Sequence, residues 1–300
     1  MAKEKVRFVT KFRTPYGYTA YLFILPSILI LGLYSIYPLT YSVIMSFFKW
    51  NIGDPGASPI LIGFANFISM WSEENFIVSL KNSLIFSAIT ITFEFLIGLW
   101  FAVLLSQEIK GNSIFRSIFL IPLAITPIVT GLLWRMIFNP ANGLFNYVLG
   151  FFNIPPQTWI ATPKLAFFTI CFVDVWMWTP FVMIIFVAAL KSIPPTLSEA
   201  ASVDGANRWQ LFWRITFPLM MPVIIVTMLL RLIDSFKVFD TIYVLTGGGP
   251  GLSTEVLGLY IYKQGLKYFY VGRTSAVTVV FVIIIFIVAF FAIKRTLRTE

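Results

Sequence analysis

The sequence predicts an all-α integral membrane protein of six transmembrane helices, and three observations carry that prediction. Charged side chains make up only 12% of the 300 residues, against about a quarter in soluble domains, and mean hydropathy is +0.87. Apolar runs long enough to cross a bilayer core about 30 Å thick recur along the chain. The basic residues that give the net charge of +9 gather at the edges of those runs, which assigns them to membrane topology rather than to nucleic acid.

Taken in order, the first span lies within the charge-free run Thr14 to Phe48. It follows five basic residues and lacks a small-residue cleavage site, so it reads as a retained helix rather than a signal peptide. The second runs from Asn82 to Gln107, the third from Ser117 to Phe138 and the fourth from Leu165 to Leu190. The fifth extends from Pro218 to Phe236 and the sixth from Ser275 to Ile293.

With the amino terminus taken as cytoplasmic, that side holds Lys3, Lys5, Arg7, Lys11, Arg13, Lys110, Arg116, Lys191, Arg208, Arg214, Lys294, Arg295 and Arg298. The other side holds Lys49, Lys81, Lys164, Lys237, Lys263 and Lys267, spread over longer loops. The excess of positive charge follows the cytoplasmic face, so both termini are expected there. The chain divides into a cytoplasmic tail, 1–17, a six-helix domain, 18–295, and a second cytoplasmic tail, 296–300.

Several chemistries are excluded. There is no His and a single Cys171, so an internal disulfide and the usual zinc and iron–sulfur ligand sets are absent, and no metal site is expected. "LTGGGPGLST" is rich in glycine but lacks the Lys of a phosphate-binding loop. It suits a turn or re-entrant loop at the external mouth, buried against protein because lipid does not tolerate unpaired backbone groups. An intramembrane enzyme would be left with Asp174 and Asp234 as its sole pairing, since no Lys lies mid-helix.

Between the fourth and fifth spans lies a polar block, "SIPPTLSEAASVDGANRWQLFWRITFPLMMP". Pro194 and Pro195 stop the fourth helix, Ser198 is a plausible N-cap, and Gly205 is the natural break. Beyond it Trp209, Phe212 and Trp213 share one apolar face, leaving Arg208 and Arg214 for water or lipid headgroups. Physics alone leaves two readings open, a helix lying on the membrane and a docking helix for a cytoplasmic partner.

The run Glu199, Ala200, Ala201, Asp204, Gly205, Ala206, then Ile215, Phe217 and Pro218, resembles the Glu-Ala-Ala signature of binding-protein-dependent ABC importer permeases. The stretch from Ser235 to Tyr262 is similar to the segment after the fifth helix in carbohydrate-type permeases, the first-permease class of maltose and glycerol-3-phosphate systems. The resemblance spans about residues 18–295 and implies a type I importer fold in its minimal six-helix version. It implies a coupling loop, 191–217, whose helix sits in a cleft of an ATPase subunit. Glu199 and Asp204 would offer acceptors to the ATPase, Gly205 would permit the turn, and Trp209 and Phe212 would anchor the arm, with Ala200, Ala201 and Arg208 in the same contact. It further implies a second permease, two ATPases that bind the ATP–Mg, an extracytoplasmic solute-binding protein and a sugar as cargo. The chain itself would bind no cofactor, catalyse nothing and sit in a prokaryotic inner membrane.

Charges inside the spans point to the cargo path. Glu94, Asp174, Arg231 and Asp234 each cost at least ~2.5 kcal/mol if exposed to lipid at mid-bilayer, so they should face inward. Arg231 and Asp234, three residues apart, could pair only to fasten helices. Alternatively they form part of a polar path. In "CFVDVWMWTPF", Asp174 beside Trp176 and Trp178 offers a carboxylate for sugar hydroxyls and aromatic faces for C–H surfaces, although core packing would also suit the two Trp. With the resemblance, the candidates for substrate contact are Asp174, Trp176, Trp178, Asp234, Ser235, Asp240 and Tyr243. A proton-coupled secondary transporter using Glu94 or Asp174 is the alternative, but the duplicated halves usual in such proteins are not evident between 18–150 and 165–295.

Overall fold

The computed structural model describes residues 17–107 and 111–296. Nearly all of both expected tails, together with Lys110, lies outside the described residues. The chain begins with α1 (Gly17–Leu31), which passes through a π-helical turn (Gly32–Ile36) into α2 (Tyr37–Met45). This apolar rod is exposed along most of its length and touches the bundle through α2. A short hairpin follows, β1 (Phe48–Lys49) paired antiparallel with β2 (Ile60–Leu61), then α3 (Ala65–Ser69) and one 3-10 turn. Asn66 ties this region together by donating to the carbonyls of Ser46 and Phe48 at 2.8 and 2.9 Å.

The centre of the bundle is the pair α4 (Glu74–Ser106) and α8 (Pro163–Ser192). The expected second span is thus eight residues longer at its start. Along α4 the buried positions include Ser79, Ser83, Ser87, Thr90, Glu94, Gly98 and Ala102, steps of three and four that form one stripe of mostly small residues. Such stripes let helices approach closely within a membrane. At Gly98 the approach is close enough that an added Cβ would lie 2.8 Å from Val182 Cγ1.

Between the central helices, the expected third span is two helices, α5 (Asn112–Ala124) and α6 (Pro127–Ile137), bent by 98° at the break. Pro127 is responsible, because a residue preceding proline is driven out of the helical region; Thr126 accordingly sits at φ −68°, ψ 147°. The short α7 (Leu144–Phe151) completes the connection to α8.

After α8 come α9 (Pro195–Val203) and α10 (Arg208–Leu211). Ser198 is not the N-cap. Proline at the first helical position, with its preset φ, starts α9 at Pro195, four residues before Glu199, and the Ser198 hydroxyl donates back to the Pro195 carbonyl at 2.7 Å. From α10 a π-helical turn (Phe212–Thr216) leads into α11 (Phe217–Lys237) without interruption. The fifth helix therefore begins at Arg208, ten residues before Pro218 where it was expected. The wider π turn accommodates Pro218, which lacks an N–H and crowds the preceding carbonyls.

The glycine-rich stretch links α12 (Asp240–Leu245) to α13 (Leu257–Tyr262). It is only partly buried, with Gly248 and Thr254 inside and Gly247 and Gly251 exposed, and it is tied to α4: Asn82 donates to the carbonyls of Leu252 and Glu255 at 2.9 and 3.0 Å, and Ser83 Oγ accepts the Leu257 amide at 2.7 Å. Glu255 pairs with Lys263. The last helix is α14 (Val271–Thr296).

Among the described residues, four helices are long and apolar enough to cross a membrane alone: Tyr21–Met45, Glu74–Ser106, Pro163–Ser192 and Arg208–Lys237. The bent pair would make a fifth, and α14 is apolar over Val271–Ile287.

Gly98→Leu is expected to lower the thermal midpoint of the detergent-solubilised protein by an amount equivalent to about 1–3 kcal/mol of overpacking. Gly150→Leu, at a position with nothing within 4 Å of an added Cβ, serves as the control and should leave the midpoint unchanged.

Candidate functional site

Three helices each contribute one charge to the middle of the bundle. Arg231 of α11 donates from Nε and Nη2 to the two carboxylate oxygens of Glu94 on α4, both at 2.7 Å. The same Nη2 donates to Asp174 Oδ2 on α8 at 3.1 Å. Glu94, Asp174 and Arg231 are 0%, 5% and 1% exposed. The two parallel bonds to Glu94 use the planar fork that only arginine presents. Trp178 caps the arrangement, with the guanidinium carbon 4.6 Å from its ring centroid, a contact that strengthens when desolvated. The expectation that these charges turn inward holds for all three, but the Arg231–Asp234 pair does not form: the guanidinium is taken by Glu94 and Asp174, and Asp234 remains exposed.

Above this cluster opens a polar cavity of about 220 Å3, lined by Asp174, Trp178, Arg231, Asp234, Lys237 and Asp240, with Pro127, Val238, Phe239 and Thr241. Four of the predicted contact residues, Asp174, Trp178, Asp234 and Asp240, meet here. Partial burial pushes the Asp240 carboxyl, on α12 beyond the spans, above the usual aspartate range.

Three others do not join them. Trp176 turns away because residues two apart lie on opposite sides of a helix, whereas Asp174 and Trp178, four apart, share a face. Its ring packs edge-on against Trp134 at 5.2 Å and lines a separate apolar cavity of about 530 Å3 with Phe93, Phe172 and Met183. Ser235 is buried and bonds to Ser87 Oγ at 2.8 Å, joining α11 to α4. Tyr243 packs edge-on against Tyr262 at 5.2 Å, outside the cavity lining. Arg231 and Lys237 line the cavity but were not among the predicted contacts. Their signal was the spacing of three from Arg231 to Asp234 and Lys237, which keeps them on neighbouring faces of α11, whereas Asp240 reaches the cavity from the start of α12, after the chain leaves the helix at Val238.

The polar block has its own geometry. Gly205 ends α9 at φ +80°, the left-handed conformation that glycine adopts without steric cost. The Ala206 amide donates back to the Ala201 carbonyl at 2.9 Å, closing the turn. Asn207 then caps α10 reciprocally: its Oδ1 accepts the Gln210 amide at 2.9 Å and its own amide donates to Gln210 Oε1 at 3.0 Å. Glu199, Ala200, Asp204, Gly205 and Arg208 are exposed and Ala201 is buried. Phe212 is half-buried against Trp213 and Phe217. Trp209, expected to anchor the arm with it, is 71% exposed and touches the ring of Trp213.

A polytopic bundle with an inward polar cavity and an exposed, tightly capped loop defines a membrane transport component. Residues 94–298 match the family described as binding-protein-dependent transport system inner membrane component, and the chain belongs to it. It is accordingly a multi-pass inner-membrane permease subunit, not an enzyme.

The chain is 37% identical over 238 residues to the trehalose/maltose transport system permease protein MalF of Thermococcus litoralis, covering 79% of this chain and 81% of that protein. Among solved structures it resembles a bacterial ABC transporter involved in import of the acidic polysaccharide alginate, with a TM-score of 0.82, 26% identity, and coverage of 94% and 96% of the two chains. A structure of bacterial alginate ABC transporter with an alginate pentasaccharide-bound periplasmic protein aligns with a TM-score of 0.79 at 26% identity, over 92% of each chain.

Arg231→Met should destabilise the protein by about 3–5 kcal/mol, because it strands two buried carboxylates. Adding Glu94→Gln should recover part of that loss, so that the double variant unfolds at a higher temperature in detergent than Arg231→Met alone. Strict additivity of the two changes would show that the groups do not interact.

Proposed function

We propose that the chain is the six-helix permease of an ATP-driven, binding-protein-dependent sugar importer, working with a second permease, two ATPases and an extracytoplasmic binding protein. The relatives named for trehalose/maltose and alginate support a sugar as cargo. The observation that carries the reading is the continuity of Arg208–Lys237. One helical element of 30 residues, about 45 Å long, joins the exposed block to the polar cavity.

On this reading α9 and α10 form the coupling helix, facing the cytoplasm together with both termini. Glu199, Ala200, Ala201, Asp204, Gly205, Arg208, Trp209 and Phe212 contact the ATPase. The exposure of Trp209 favours its role as a contact residue rather than an internal anchor. The ATPases hold ATP–Mg, and this chain supplies no nucleotide site. A loaded binding protein docks on the loops 49–81 and 237–270, and ATPase closure moves the block and opens the cavity outward. Substrate passes to Asp174, Trp178, Asp234 and Asp240, and hydrolysis resets the gate. The alternative, proton coupling through Glu94 or Asp174, is not favoured, since both carboxylates bind Arg231 and the family is one of binding-protein-dependent systems.

Gly205→Asp is expected to leave the protein in the membrane while ATP hydrolysis by the reconstituted importer no longer drives uptake. Normal uptake by this variant would sink the coupling assignment. Trp178→Ala should slow sugar uptake at least tenfold without reducing copurification of the ATPase.

A further inference from the structure

The polar cavity has a charge balance that bears on which sugars it accepts, given the importer reading on which this inference rests. Two cations line it, Arg231 and Lys237. The Arg231 Nε and Nη2 are already committed to Glu94 and Asp174, two carboxylates on one guanidinium. Asp234 and Asp240 line the same space, and among the described residues neither makes an ion pair; nor does Lys237. Three carboxylates thus line the cavity with two cations, a fourth, Glu94, pairs with Arg231 from outside the lining, and the single cation not already neutralised is outnumbered by Asp234 and Asp240.

An anion entering this space would lose part of its hydration and gain a field of its own sign, a repulsion that water screens at the exposed Asp234 and Lys237 and that strengthens toward the buried Asp174. A neutral polyhydroxylated group meets the opposite situation. Its hydroxyls can donate to Asp234 and Asp240, and accept from Lys237 and from Arg231 Nη1, which makes no hydrogen bond among the described residues. Its C–H surfaces can rest on the apolar wall formed by Pro127, Val238 and Phe239. A volume of about 220 Å3 corresponds to roughly seven waters, room for one sugar ring at a time.

We propose that the cavity selects neutral sugars or polyols and rejects anionic ones, including uronates and phosphorylated polyols. The likeness to an importer of an acidic polysaccharide then extends to fold and not to the charge of the cargo.

The test measures equilibrium binding of radiolabelled sugars to the intact importer in nanodiscs with the binding protein omitted, so that its preference does not set the ratio. The probes are a panel of neutral mono-, di- and trisaccharides and the same panel carrying a 6-phosphate or a uronic carboxylate. The expected result is that at least one neutral member binds and its anionic counterparts bind at least tenfold more weakly. Asp234→Asn combined with Asp240→Asn, both isosteric, should shrink that ratio below threefold, chiefly by improving the anionic probe. Anionic members that bind as well as neutral ones, or a ratio unchanged in the double variant, would overturn the charge selection while leaving the sugar reading intact. No binding by any member of either panel would overturn the sugar reading and the selection with it.

Discussion

The arginine shared between Glu94 and Asp174 fixes how the bundle is arranged. Three charges near the middle of three apolar helices cannot face lipid, so α4, α8 and α11 must each turn one defined edge toward a common axis. Once those edges are set, helical spacing places their neighbours. Trp178, four residues after Asp174, comes to lie over the guanidinium, and Ser235, four after Arg231, meets Ser87 on α4. Gly98, four after Glu94, lies close against Val182 of α8. A replacement of the cluster by well-packed apolar side chains could hold the helices as firmly. What apolar packing would not supply is the angular register, because leucine tolerates many rotations about a helix axis and a bidentate guanidinium tolerates few.

That register links the two regions of functional interest. The exposed block sits at the start of the helical element Arg208–Lys237, while Arg231, Asp234 and Lys237 sit near its end. The helix runs from α10 to the cavity without a non-helical break. A joint lies on the other side, at Gly205, whose positive φ lets α9 meet α10 at a turn closed by backbone and Asn207–Gln210 hydrogen bonds. The π turn at Phe212–Thr216 and the prolines at 218 and 222 are the places where this rod departs from ideal geometry.

Much of this was legible in the sequence because composition and the cost of buried charge are strong constraints. The apolar runs and the inward turn of Glu94, Asp174 and Arg231 follow from them, while the break at Gly205 and the partial burial of the glycine-rich loop follow from glycine's backbone freedom and the need to pair backbone groups. Other features depended on partners distant in the chain. Arg231 and Asp234 are neighbours by spacing, yet a carboxylate 137 positions away wins the guanidinium because it is buried with it and Asp234 stays solvated. The split of Trp176 from Trp178 was within reach, since two residues turn a helix by about 200° while four nearly restore the face. The bend at Thr126 was also signalled by Pro127, whereas the angle of 98° is set by what α6 packs against, namely α12 through Gly131 and the Thr241 carbonyl.

The placement of charge also explains why the cavity forms where it does. Asp174 and Arg231 are held below it with their hydrogen-bonding capacity partly used, and Asp234, Lys237 and Asp240 follow at the helix end with theirs free. Polarity therefore rises from a fixed, internally satisfied layer to an open one, and a polar molecule arriving from the open side would find donors and acceptors that need not first be separated from each other. Such a gradient favours transient occupancy over tight capture: free groups at the mouth can exchange water for substrate, while the committed layer beneath keeps its own partners. On the proposed role of this cavity, a transport path would need that asymmetry, because a cargo held as firmly as Arg231 is held would not leave.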